Sequence, residues 1–284
     1  MFGDLHIHMI LDGVYYRAAI DAQKEHPLDG LVRARLSDYQ ARGVCLLRDG
    51  GDAWGVSLRA RELAGEYGID YRSPAFPIYR RGHYGAFIGR GFDTEDEYRD
   101  VQYEKRADFI KLMISGLIDF DHFGVLTEPG PEPQDIRRMI ELAHAAGFAV
   151  MAHANGDRAV TAALQAGVHS IEHGAYLSES VLLRMAQQRT LWVPTLSTIG
   201  NLIGSGRYPD AVLKRLLAQQ QEAVRFVAAH GGRIGLGSDA GAWHVMHGQA
   251  ISDELGYLTA ALGPRTEPLL LEAEAYASVT FCRK

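Results

Sequence analysis

The chain has 284 residues, enough for one α/β barrel of roughly 250 residues or for two smaller domains. Hydrophobic residues make up 47% and charged residues 23%, an ordinary balance for a globular protein with a large core. The formal net charge of −6, with charges scattered rather than blocked, argues against a nucleic-acid partner held through phosphate contacts. No apolar run approaches about 18 residues, so no membrane span is expected. No basic segment followed by an apolar run opens the chain, so no signal peptide is expected. Cys45 and Cys282 lie far apart and neither belongs to a CxxC pair. That pattern makes no disulfide framework and points to a reduced, cytoplasmic setting.

The first apolar run predicts a strand over Asp4–Met9. Further strands are predicted at Val44–Leu47, Tyr71–Ile78, Phe109–Met113, Phe148–His153, His169–His173, Leu191–Pro194 and Ile234–Ser238. Pro74 and Pro77 interrupt the third of these. Gly43, Gly68, Gly147, Gly167 and Gly232 each stand before an apolar run, where a glycine past a helix end supplies a left-handed cap. Between the strands the spacing predicts helices. Thr94 and Glu97 have the separation of a capping box. Ile136, Met139, Ile140 and Ala143 fall at i, i+3, i+4 and i+7. Val212, Leu216, Val224 and Val227 mark a later helix, with Asp210 as its N-cap. The segment Ile118–Pro133, with its glycines and three prolines, reads as a long loop at the active-site mouth. Eight strands alternating with helices predict a parallel sheet closed into a (β/α)₈ TIM barrel, one domain over residues 1–284.

Histidine carries the chemical signal, because several of the 12 sit in apolar runs. His6 and His8 are two apart on the first strand, so their side chains share one side of the sheet. Lys111, His153, His173 and Asp239 stand at or near the C-terminal ends of later strands. In a closed barrel those ends meet on one rim, where barrel active sites lie. Imidazole and carboxylate suit zinc-like ions. Four histidines and an aspartate exceed what one catalytic zinc needs, so two divalent metal ions are the economical expectation. A free Lys111 ammonium would repel them; as a CO₂-derived carbamate it would bridge them. Taken singly, each residue has a plainer reading. His153 suits a hydrogen-bonded core position, Lys111 a rim lysine and Asp239 a turn or helix cap. Six such coincidences at strand ends are what that reading would require.

The stretches Asp4-Leu-His6-Ile-His8, Phe109-Ile-Lys111-Leu-Met-Ile-Ser115-Gly116, Met151-Ala-His153-Ala, Ser170-Ile-Glu-His173-Gly174, Val193-Pro194-Thr195 and Gly237-Ser-Asp239-Ala-Gly241 resemble the amidohydrolase superfamily. The likeness is to its binuclear, carboxylated-lysine branch, near the prolidase-like, other Xaa-dipeptidase and imidazolonepropionase-like enzymes. The resemblance implies that His6 and His8 bind one metal and that His153 and His173 bind the second. It implies that carboxylated Lys111 bridges them and that Asp239 contacts the first metal and acts as general base. That branch usually carries a small β-sandwich beside the barrel. This chain begins almost on its first strand and is expected to lack most or all of it; the alternatives are a naturally short chain, a flank covered by another subunit of a homo-oligomer, and a truncation.

Substrate contacts are expected from loops after the strands. Arg80, Arg81, His83 and Tyr84 follow the third, Arg158 and Tyr176 the fifth and sixth, and Trp243, His244 and His247 the eighth. An arginine there would pair a substrate carboxylate, and His83 is favoured because a Gly-His pair follows this strand in the family. His144 and His230 fall in helices, His26 and His122 on the surface, and His169 at the opposite end of the barrel.

The expected reaction is hydrolysis of a C–N amide bond in a small molecule: a dipeptide, an N-acyl amino acid or a cyclic amide. A metal-bridging hydroxide would be the nucleophile and Asp239 the base. Zinc is the expected ion, with manganese, iron and nickel open. The alternatives are a lactonase or phosphotriesterase on the same site, a catalytically silent metal-binding barrel, and a single-metal deaminase, against which Lys111 speaks.

Overall fold

The computed structural model describes residues 2–102 and 106–282. Among the described residues ten strands run β1 Asp4–Ile7, β2 Leu46–Asp49, β3 Asp70–Arg72, β4 Pro77–Arg80, β5 Arg90–Phe92, β6 Ile110–Met113, β7 Val150–Ala154, β8 Ser170–His173, β9 Leu191–Val193 and β10 Arg233–Ile234. All their pairings are parallel. They form two runs, β1-β2-β3 and β10-β9-β8-β7-β6-β4-β5. The predicted strand Tyr71–Ile78 is split between the runs. Pro74 has no N–H for a ladder, so the chain leaves β3 and resumes at β4, where Pro77 takes the first position. Asp52 N donates to the Ala75 carbonyl at 3.0 Å and Asp108 N to that of Ser73 at 2.8 Å, which bridges the gap.

The other seam joins the chain's beginning to its eighth stave. Leu5 N donates to Leu236 O at 2.9 Å, Asp239 N to His6 O at 2.6 Å and His8 N to Ala240 O at 2.8 Å. The result is the expected TIM barrel. β5 is an extra strand beside β4 that the sequence reading did not find; its three residues are too few for periodicity to mark.

The helices are α1 Tyr16–Asp21, α2 Asp29–Ala41, α3 Val56–Ala64, α4 Glu95–Gln102, α5 Pro133–Ala145, α6 Gly156–Gln165, α7 Glu179–Gln188, α8 Ser197–Gly200, α9 Asp210–Ala229, α10 Gln249–Leu262 and α11 Thr266–Thr280. α5 buries the predicted face of Ile136, Met139, Ile140 and Ala143. In α9, Leu213 takes the core position expected of Val212, and Asp210 is the first helical residue rather than the N-cap. Its carboxylate instead accepts from Gly204 N at 2.8 Å. Residues 118–133 form a loop with one isolated bridge, Ile118 to Leu126. No helix among the described residues is long and apolar enough to cross a membrane.

Below the rim the interior is filled. Leu5, Leu46, Phe109, Met151 and Leu191 lie at the N-terminal ends of their strands and pack with Ala273 and Ala277 of α11 and with Phe281 just beyond it. The Phe281 ring meets Phe109 edge-on at 5.3 Å and lies 4.3 Å below the Arg48 guanidinium. Phe281 therefore closes the barrel floor. Phe281→Ala should cost about 3–5 kcal/mol of unfolding free energy in urea titration, because the strand ends cannot collapse into the space; a loss below about 1 kcal/mol would show that the floor is held by α11 alone.

Candidate functional site

The C-terminal rim brings together the six residues singled out at strand ends. The rings of His6 and His8 lie 5.3 Å apart, those of His6 and His173 5.1 Å, and those of His153 and His173 4.6 Å. Asp239 Oδ1 is 3.6 Å from Nε2 of both His6 and His8. Those three residues can each present one ligand atom within 4.8 Å of the others. Lys111, on β6, has its Nζ buried with no hydrogen-bond partner.

Hydrogen bonds fix the tautomers of His6, His173 and His153. Glu172 Oε2, acceptor only when ionised, takes a bond from His6 Nδ1 at 2.8 Å, which leaves Nε2 as a lone pair without a partner. Thr195 Oγ1 donates its single proton to Pro194 O at 2.8 Å, so it accepts from His173 Nδ1 at 2.7 Å. His153 Nε2 donates to Gly116 O at 3.2 Å, which leaves Nδ1 as the donor of electrons. Burial, followed by the charge of Lys111, holds His8 and His153 down to about 3. Burial keeps His6 and His173 well below the ordinary range too. All four are neutral imidazoles at pH 7, as ligation requires. Burial also lowers Lys111, against the pull of Glu172 and Asp239, and raises Asp239, against the pull of Lys111. The donor set, with an orphaned amine among neutral imidazoles, fits divalent cations.

The backbone is bent to aim these groups. His173, Thr195 and Asp239 have φ of 66°, 49° and 58°, a left-handed conformation costing on the order of 1 kcal/mol each in non-glycine residues. The His173 carbonyl is held by Trp192 Nε1 and Gln220 Nε2, both at 3.0 Å. The Asp239 turn hangs on Ser238, whose N and Oγ donate to the Asp4 carboxylate at 2.8 and 2.6 Å. Ser197 Oγ reaches Ser238 O at 2.7 Å, and Ser197 N donates to Glu254 at 2.6 Å. Gly50 is required beside His8, since a Cβ there would lie 2.2 Å from the ring.

Under the rim runs an ionic network that the sequence reading missed. Arg48 NH2 bonds Glu172 at 2.9 Å, its NH1 bonds Ser170 Oγ at 2.9 Å and its Nε bonds Leu5 O at 2.7 Å. Arg48 and Glu172 are both almost fully buried, at 1% and 0% exposure. The signal was present: an arginine closing the apolar run Val44-Cys45-Leu46-Leu47, and a glutamate inside a strand.

Above the six residues opens a cavity of about 640 Å³. His83, Tyr84 and Trp243 line it, as expected of loop residues after strands. The Tyr84 ring lies 5.1 Å from that of His153, and its backbone N–H donates to Glu128 at 2.6 Å. Arg80, Arg81, Arg158 and His247, expected as substrate contacts, do not line the cavity. Arg80 lies over the Phe92 ring, 5.7 Å away on the flank of β5. Arg81 pairs with Asp93 and Glu97, and Arg158 with Glu132. His247 is pinned between the Tyr39 hydroxyl at 3.1 Å and Leu11 O at 2.9 Å, a structural role. Tyr176 packs on Phe123, and His244 is exposed. Arg207, Tyr208 and Phe120 line the cavity without having been foreseen. They come from long loops, where no period marks which side chain turns inward.

Fold and site define a (β/α)₈ barrel with a histidine, lysine and aspartate cluster at the strand ends. The chain belongs to the amidohydrolase family, whose profile matches residues 57–280 and whose members generally use divalent metals. An uncharacterized Mycobacterium tuberculosis protein is 33% identical over 129 residues, 43% of this chain and 34% of its own length. Aspergillus niger ochratoxinase is 28% identical over 209 residues, 69% of this chain and 41% of its own. The chain thus spans between a third and about two fifths of these curated relatives. Among solved structures, a Xaa-Pro dipeptidase with bound methionine superposes with a TM-score of 0.78 at 18% identity, covering 98% of this chain and 75% of that one.

Glu172→Gln should cost about 3–5 kcal/mol in chemical unfolding, since it strands the buried Arg48 charge and unseats His6; a neutral result would mean Arg48 is satisfied by Ser170 and Leu5 alone. Burial raises Glu254 to about 8, opposed by the Ser197 N–H. A raised carboxyl stabilises the fold below its unfolded value near 4.5 and loses that contribution as pH rises through about 8. The melting temperature of Glu254→Gln relative to wild type should therefore climb between pH 5 and pH 8; a flat difference would show that Glu254 ionises without cost.

Proposed function

We propose that the chain hydrolyses a C–N amide bond of a small molecule at a binuclear metal site held by His6, His8, Lys111, His153, His173 and Asp239. The observation that carries this reading is the unpartnered Lys111 Nζ buried among four neutral imidazoles, an arrangement costly unless something occupies the space between them. His6, His8 and Asp239 would hold one ion and His153 and His173 the other. Zinc suits this nitrogen and oxygen set. Lys111, lowered by burial to about 8, gives up its proton far more readily than an exposed lysine; its free amine would add CO₂ through nitrogen, lose a second proton and, as an anionic carbamate, would help hold the cations. The names of the neighbours, Xaa-Pro dipeptidase, prolidase and ochratoxinase, favour a C–N bond over a lactone or phosphotriester.

Bound divalent cations supply Lewis acidity, lowering the pKa of water and polarising a carbonyl oxygen. The protein's own groups do the rest. Asp239, its carboxyl raised by burial, accepts the proton of the attacking water and delivers it to the leaving nitrogen. Glu172 keeps the His6 lone pair turned toward the site. Tyr84, its ring tilted against that of His153, and His83 border the space where an amide would lie. A cavity of about 640 Å³ has the size of small-molecule sites.

Two measurements test this. Plasma mass spectrometry on protein expressed with zinc and purified with bicarbonate should find about two ions per chain, and fewer in Lys111→Ala; one ion in both would point to a mononuclear enzyme and none to a silent barrel. On a panel of dipeptides, N-acyl amino acids, cyclic amides, lactones and phosphotriesters, turnover should appear among the amides. Asp239→Asn should lower kcat by about 10²–10⁴-fold; full activity in that variant would remove Asp239 as the base.

A further inference from the structure

The cavity divides chemically. Its floor is polar and its walls are aromatic. One run of ring contacts passes from Tyr16 to Phe87 at 5.8 Å and from Phe87 to Tyr84 at 5.5 Å. Another passes from Phe120 to Tyr208 at 5.3 Å and from Tyr208 to Trp243 at 6.3 Å. Among the described residues that line this space, Asp239 on the floor is the sole carboxylate and Arg207 the sole arginine. The Arg207 guanidinium lies 4.6 Å from the Trp243 ring and 5.3 Å from that of Tyr208. It forms no ion pair with a described carboxylate, unlike Arg81 and Arg158, which are spent on surface acids.

A guanidinium stacked on aromatic faces keeps its N–H edge free, in the plane where a carboxylate binds in two-point fashion. The platform is itself anchored. Asn201, at the start of the same loop, donates to the His244 carbonyl at 3.1 Å and to Asp253 at 3.0 Å, which ties the Arg207 loop to the Trp243 loop. The loop that carries the exposed Arg207 side chain is thus tied to the aromatic wall on which its guanidinium lies. A positive group on an aromatic wall with no acid beside it selects a ligand that is aromatic or broadly apolar and carries an anion away from the reacting centre.

We propose that Arg207, stacked on Trp243 and Tyr208, is the anion anchor of this cavity, so that its substrate is an amide carrying a carboxylate and an aromatic or large apolar group. The inference rests on the amide-hydrolysis reading for the word amide alone. The aryl carboxylate preference stands on the cavity wall.

The test separates the two. Binding of 2-naphthoate and of 2-naphthamide is measured by titration calorimetry on wild type, Arg207→Gln and Arg207→Lys, each with and without chelator, so that carboxylate bound at the floor metals is told apart from carboxylate bound at the wall. Wild type should bind naphthoate about tenfold or more tighter than naphthamide in chelated protein, the ratio should fall toward unity in Arg207→Gln, and Arg207→Lys should retain part of it. Added salt should shrink the wild-type ratio. An equal ratio in wild type and Arg207→Gln, or no preference in wild type, overturns the anchor. If the ratio behaves as expected while no amide on the panel is cleaved, the anchor stands and the amide reading falls.

Discussion

The seam between the first strand and the last is the contact on which the molecule's chemistry depends. Leu5 meets Leu236, His6 meets Asp239 and His8 meets Ala240 through main-chain hydrogen bonds. Residues at opposite ends of the chain thereby become neighbours, and a linear series of strand ends becomes a ring. Without that closure His6 and His8 would not face Asp239. The seam is also where room is scarcest. A Cβ on Gly237 would stand 2.4 Å from Val193 and 2.9 Å from His6 N, so glycine is needed for the staves to approach.

Directly beneath lies a second constraint of a different kind. A buried arginine and glutamate inside a barrel contribute little net stability over an apolar filling. Their value here is orientation. Arg48 binds three separate partners around the interior, and the Glu172 Oε2 that accepts from it also accepts from His6. The imidazole is turned so that Nε2 faces the rim. The strained φ angles at His173, Thr195 and Asp239 belong to the same design: local conformational cost is tolerated where neighbouring hydrogen bonds over-determine the side-chain direction.

Floor and walls of the cavity have separate origins. The floor comes from strand ends, whose positions the barrel dictates to within the reach of a side chain. The walls come from loops after the first, third, fourth, seventh and eighth staves, which the barrel leaves free to vary. The floor accordingly holds the histidine, lysine and aspartate cluster, while Tyr16, Phe87, Tyr208, Trp243 and Arg207 on the walls face whatever ligand enters.

By itself the sequence determined the barrel and the six floor residues. Period-2 and 3.6-residue patterns, glycine punctuation and the strand-end placement of His6, His8, Lys111, His153, His173 and Asp239 are local properties, and closed parallel topology maps local position onto one rim. The split at Pro74 was legible as a weak strand, whereas β5 was too short to see. Only the tertiary structure decided that Arg48 answers Glu172, that Arg80, Arg81 and Arg158 turn away while Arg207 turns in, and that His247 is a core residue on Tyr39. Those outcomes hang on side-chain direction in loops and on partners 124 and 208 positions away, and neither leaves a period in the chain.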